Sequence, residues 1–251
     1  MTMKKSAILI SMIAGFAAIT ASAQQSASSY KITTDFSYNT QYVFRGFQKT
    51  ADAFVSSVEV ATGDYYAGIW TMQPISAWKG ERPCNEIDFN AGYRKKVWKD
   101  LSVEGVATCY WYPDARSSVT GTTSHSYELG AGAVWTRNRL SSSAFLHYDF
   151  RLQAPTGVAS VGYSFPVVKL ATSVDVAFYI GTTKFSNARP NVPGPRLKYS
   201  YNYYGFDVSV PYHINERARV TASVHYANND HTPLDTRDNR FWFRLGLSLG
   251  F

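Results

Sequence analysis

The last eleven residues constrain the fold more than any other part of the chain. From 241 to 251 the odd positions read Phe241, Phe243, Leu245, Leu247, Leu249 and Phe251, and the even positions read Trp242, Arg244, Gly246, Ser248 and Gly250. A period of two puts one set on each face of an extended strand. One face is apolar, the other polar or small. A strand of a soluble sandwich can alternate too, but it seldom does so for this length and then ends the protein on an aromatic residue.

The same pattern opens the chain after residue 30. Even positions from Ile32 to Phe44 are apolar, aromatic or Thr, and the odd ones from Lys31 to Arg45 are polar except Val43. Ten further alternating segments are expected at about 53–62, 65–73, 85–96, 101–112, 125–135, 140–150, 158–165, 170–180, 198–212 and 218–227. The third and tenth of the twelve segments alternate less cleanly. Connections alternate in length as well. Short turns fall at Gly63-Asp64, 97–100, 136–139, 166–169 and 213–217, and longer loops with Pro or Gly fall at 74–84, 113–124, 181–197 and 228–238. Short turns at one end and long loops at the other are the habit of outer-membrane barrels. An even strand count then brings both termini to the turn end, which is the periplasmic end.

Before this pattern begins, residues 1–23 have the layout of an export signal. Lys4 and Lys5 are basic, 6–19 is apolar, and Ala21-Ser22-Ala23 is a small-residue cleavage site. The apolar run is too short for a comfortable span, because a membrane helix needs about 20 such residues. Residues 24–251 are then expected to be a single all-β domain: a transmembrane antiparallel β-barrel of about twelve strands with a polar interior, in a bacterial outer membrane. Closure is required because an unpaired strand edge in hydrocarbon leaves backbone groups unsatisfied at several kcal/mol each. The aromatic content of 16%, with 18 Tyr and 15 Phe, suits such a barrel. Tyr42, Phe44, Tyr110 and Tyr112, at segment ends, are expected in interfacial girdles.

Several function classes drop out on composition. The net charge of +7 comes from Lys and Arg scattered among acids along the whole chain, not from a basic patch, so nucleic acid is not an expected partner. Cys84 and Cys109 meet an oxidising compartment after export, and a bridge and two free thiols are both open. Neither stands at metal-site spacing from histidines, so no metal or other cofactor is expected.

By parity the inward side chains include Asp35, Arg45, Glu59, Glu86, Asp88, Arg94, Glu104, Glu128, Asp149, Asp175, Asp207, Arg219, Arg240 and Arg244. Mixed charges on a hydrated wall are what a pore for small polar or charged solutes needs, and equally what a narrow, ion-paired plug needs. Arg45 is the leading candidate, at the mouth, where Gly46 turns the chain into the first loop. Its bland alternative is a salt bridge tying that loop to the wall. The terminal Phe251 is the expected signal to the barrel-assembly machinery, and outer-membrane lipid the expected surroundings. The chain carries no mark of a dimer face.

The segment Asp35-Phe36-Ser37-Tyr38-Asn39-Thr40-Gln41-Tyr42-Val43-Phe44-Arg45-Gly46 resembles the opening of the TorF-type family of proposed outer-membrane porins. The likeness continues through Tyr66-Ala67-Gly68-Ile69-Trp70, Glu86-Ile87-Asp88-Phe89-Asn90-Ala91-Gly92-Tyr93 and Tyr110-Trp111-Tyr112-Pro113. It covers the first half of the exported chain and implies a barrel with pore function. Two other classes compete. Barrel phospholipases pair Ser with His, and here Ser143 and His147 share a face, as do Ser223 and His225. Both pairs lie on the polar parity, away from lipid, so no catalytic residue is expected. The Asp230, His231 and Asp235 loop is weaker still as an acid–His site. An adhesive barrel is the third class, with Pro190, Pro193 and Pro195 beside Arg189 and Arg196 stiffening the longest loop.

Overall fold

The structure is a computed structural model that describes residues 30–76, 85–114, 124–187, 196–230 and 240–251. The expected export signal (1–23), Cys84, Arg189, the three prolines of the longest loop, His231 and Asp235 lie outside the described residues.

Among the described residues, twelve antiparallel strands close a barrel. They are β1 (Lys31–Asn39), β4 (Ala53–Thr62), β5 (Tyr65–Pro74), β6 (Glu86–Lys96), β7 (Leu101–Trp111), β8 (His125–Arg137), β9 (Leu140–Asp149), β10 (Ala154–Val167), β11 (Thr172–Phe185), β12 (Tyr199–His213), β13 (Ala218–Asn229) and β14 (Arg240–Gly250). Each pairs with its chain neighbours, and β1 meets β14 from Thr33↔Gly250 to Asn39↔Arg244. The backbone of Phe251 extends that seam by exchanging hydrogen bonds with Ile32 at 2.9 and 3.0 Å. The start of β1 and Phe251 therefore share the end with the short turns.

The twelve barrel strands match the twelve expected segments, with two kinds of difference. Strands β10 and β11 are longer than the expected 158–165 and 170–180, because Gly157 and Gly181 continue the ladder instead of ending it. The first segment is shorter. It stops at Asn39, and its expected continuation is a separate hairpin, β2 (Tyr42–Phe44) with β3 (Phe47–Thr50), that pairs only with itself.

Alternation sorts the side chains as the period of two requires. On the outside, Leu146, Ile180, Phe178, Phe243 and Leu245 stand exposed, an arrangement a water-facing surface would not sustain. Exposed aromatics cluster at both rims, including Tyr65, Trp98, Phe165 and Tyr212 at the turn end and Trp111, Tyr127 and Phe150 at the loop end. Tyr42, Phe44, Tyr110 and Tyr112 do not belong to these girdles. Tyr110 and Tyr112 donate hydrogen bonds to Glu128 and Glu86, and the rings of Tyr42 and Phe44 pack on Trp70 and Tyr110. The parity already held the reason: Tyr110 and Tyr112 are even, as is Glu104 on the same strand. The interior is also less uniformly polar than expected, since Ala53, Trp70 and Met72 form a buried apolar cluster against which Tyr42 and Val55 pack.

Candidate functional site

The inward hairpin defines the site. Its two-residue turn is Arg45-Gly46, with φ of 50° and 71°. Two consecutive left-handed residues make the turn type whose twist suits a tight hairpin. Gly46 is obligatory there on two grounds. Its φ is positive, and a Cβ would come within 2.6 Å of Tyr203 Cβ and 2.9 Å of the Asn228 carbonyl. Arg45 lacks glycine's freedom at positive φ, and its side chain is what holds it.

Arg45 Nη2 donates to Glu128 Oε1 at 2.8 Å, and Nη1 donates to Thr156 Oγ1 at 3.2 Å. Thr156 in turn bonds Thr183 at 2.8 Å. The hairpin leaves the wall between β1 and β4, whereas Glu128 and Thr156 stand on β8 and β10, which flank the strand halfway round the barrel. The turn thus reaches across the lumen to the far wall. Asn229 of β13 secures the side of the tip by donating from Nδ2 to the Gly46 carbonyl at 2.7 Å. At the hairpin base, Tyr42 lies 5.5 Å from the Trp70 ring. Lys49 sits over the Phe44 and Phe47 rings at 5.9 and 5.7 Å.

Around the latch the loop half of the wall is acidic. Glu128 Oε1 also accepts from Tyr110 at 3.0 Å, and His147 Nδ1 lies 3.2 Å from it. Glu86 accepts from Tyr112 at 2.8 Å, and the neighbouring Asp88 is buried, its Oδ1 without a hydrogen-bond partner among the described residues. Asp149 is taken up locally by Ser126 and by the Leu152 amide, each at 2.7 Å, which fixes the β9–β10 turn. Arg240 is buried on β14.

The turn half holds two further groups. On one wall Arg94 forks onto Glu104 with two bonds of 3.1 Å and comes within 3.8 Å of Glu59. Its guanidinium stacks 4.4 Å from the Tyr66 ring, whose hydroxyl also donates to Glu104. That ring lies flat on Gly92, where a Cβ would fall 2.4 Å from it. On the facing wall Asp35 accepts from Ser248, Asp175 accepts from Ser164 at 2.7 Å, and Asp207 bonds His225. Arg219 and Arg244 sit among these acids on β13 and β14.

Ten of the fourteen expected residues therefore form three assemblies, not one constriction. Arg45 joins Glu128, Arg94 joins Glu59 and Glu104, and Asp35, Asp175, Asp207, Arg219 and Arg244 share the β11–β1 wall. Sequence reasoning missed Thr156, Tyr66, Tyr110 and Asn229. Tyr110 shares strand parity with Glu104 and Asn229 with Arg219, which is the signal that could have found those two; the strands of Tyr66 and Thr156 carry no charged residue to mark their inward face.

The shape is that of porins. The KdgM porin superposes with a TM-score of 0.57 at 12% identity, over 87% of this chain and 99% of that one. An outer membrane channel from Pseudomonas putida F1 gives 0.54 at 9%, over 90% and 97%. The NanC porin gives 0.52 at 10%, over 87% and 98%. At such identities the likeness is one of fold. No curated protein matches the chain in sequence. Residues 23–150 match the model of Gcw_chp, described as a bacterial protein of unknown function, and the chain belongs to that family.

Proposed function

We propose that residues 24–251 form an outer-membrane channel for passive diffusion of small polar or charged solutes, exported by the signal in 1–23 and directed to the assembly machinery by Phe251. One observation carries this reading: a closed barrel with an apolar exterior encloses a charged wall, and a hairpin reaches across that wall without joining the sheet. Hydrocarbon outside and water inside account for both faces. The porin-like fold supports it, and so does the KdgM porin, which is known in complex with disordered oligogalacturonate. Kinship with the TorF-type porins belongs to the same proposal.

In this reading Asp35, Glu59, Glu86, Asp88, Arg94, Glu104, Glu128, Asp149, Asp175, Asp207, Arg219, Arg240 and Arg244 line the passage, and Arg45 narrows it. Carboxylates outnumber guanidiniums in this set, so the lumen favours cations over anions of similar size. The test is single-channel recording of refolded protein in a planar bilayer. Discrete conductance steps with a cation-selective reversal potential under a salt gradient are expected. A silent bilayer, with the barrel shown folded by its heat-modifiable migration on a gel, would remove the channel reading.

A further inference from the structure

The two Ser–His pairs look equivalent in sequence, and the structure separates them. Ser143 bonds Ser160 at 2.7 Å, and the nearest acid to His147 is Glu128, already held by Arg45. Ser223 instead bonds His225 Nε2 at 2.8 Å, and His225 Nδ1 bonds Asp207 Oδ1. We propose that Ser223, His225 and Asp207 form a serine-hydrolase centre inside the barrel, acting on short acyl esters that enter the lumen.

The geometry meets each requirement of that chemistry. Ser223 and His225 are two apart on β13 and so point the same way, inward. Asp207 is directly across from His225 in the β12–β13 register. With Nδ1 donating to the carboxylate, Nε2 carries the lone pair and accepts from the Ser223 hydroxyl, which is the polarity a general base needs. The imidazole is held flat by the Trp242 ring, 4.9 Å away and 12° from parallel. Arg244 is directly across from Ser223 on the other side, on the same inward face. A cation beside the nucleophile is where charge on a carbonyl oxygen would be stabilised.

Ser223 Oγ attacks the carbonyl carbon as its proton passes to Nε2 and the C=O π pair moves to oxygen beside Arg244. The ester C–O bond then breaks, and the alcohol leaves with the proton from Nε2. Water attacks the acyl-serine and gives a proton to Nε2, the carboxylic acid departs, and the proton returns to Oγ. Ester and water are consumed; acid and alcohol are formed. His225 and Ser223 touch the substrate, whereas Asp207 is a positioning residue.

The experiment treats refolded, heat-modifiable barrel with a small fluorophosphonate and maps the adduct by mass spectrometry, with p-nitrophenyl acetate hydrolysis as the second readout. Labelling at Ser223 is expected. It should be lost in Ser223→Ala and slowed at least about 100-fold in His225→Gln. Asp207→Asn should slow it comparably and Asp207→Glu should restore it in part, which a merely structural carboxylate would not do. Ser143→Ala should label as the parent does. Absence of an adduct at Ser223, or equal rates in His225→Gln, overturns the proposal. Ser223→Cys challenged with a small methanethiosulfonate separates the causes: a reactive thiol means an inert polar network, and an unreactive one means a lumen closed to substrate. Either result stands apart from conductance, so failure here leaves the channel reading to its own test.

Discussion

Replacing Arg45 by Ala should release the hairpin that crosses the lumen. The side chain forms an ion pair with Glu128 at 2.8 Å, both groups being under one-tenth exposed, and a hydrogen bond to Thr156. Removing one member of a buried ion pair costs about 3–5 kcal/mol, because the other charge is left without its partner. The lost bond to Thr156 adds about 1 kcal/mol. This penalty falls on the docked state alone, since undocking lets water reach Glu128. Tyr110 still donates to Glu128, so the lower end applies, and a total of about 4 kcal/mol shifts the docked–undocked balance roughly 1,000-fold. Single-channel recording reads this directly as occupancy of a higher-conductance level. Glu128→Gln in the Arg45→Ala background should return part of the occupancy to the docked level, because no buried charge then remains. Identical dwell times in Arg45→Ala and the parent barrel would refute the latch.

Gly46→Ala should displace the same hairpin from its backbone, since φ is 71° and a Cβ meets Tyr203 and Asn228; a cost of about 1–3 kcal/mol should raise open-level occupancy while the melting temperature of the barrel hardly moves. Gly92→Ala should push Tyr66 off the wall and loosen its bond to Glu104. A destabilisation of about 1–3 kcal/mol should appear as a lower denaturant midpoint, and an unchanged midpoint would show the ring to be freely movable. Leu245→Arg, on the exposed face, should cost about 2–4 kcal/mol if that face meets the bilayer midplane, read as poorer folding into vesicles, whereas a surface in water would tolerate it.

What was legible in sequence follows from how local each signal is. The period of two is contained within each strand, so the barrel strands and the faces of Asp88, Glu104 and Arg219 could be read without knowing any neighbour. The hairpin could not, because Tyr42 and Phe44 continue the parity of Phe36 and Tyr38. Nothing in that run says the chain has left the sheet. Only the Arg45-Gly46 pair carries a turn signal, and it reads equally well as a strand ending in a loop. The girdle assignment of Tyr110 and Tyr112 went wrong by weighing residue type above parity.

The two Ser–His pairs show where local information stops. Spacing within a strand makes Ser143 and His147, like Ser223 and His225, share a face, but it does not say what stands beside them. That depends on register, and a slip of one residue turns every side chain of a strand to the opposite face. Register sets Asp207 opposite His225 and Arg244 opposite Ser223, and it sets Ser160 opposite Ser143. The same polar alphabet on the same kind of wall thus yields an inert hydrogen bond in one place and an ordered acid–base–nucleophile chain in another. The hairpin obeys the same logic across the lumen, where Arg45 is held in an unfavourable backbone region because Glu128 and Thr156 wait on the opposite wall. In a barrel whose strands are individually simple, the chemistry resides in what the pairing brings side by side.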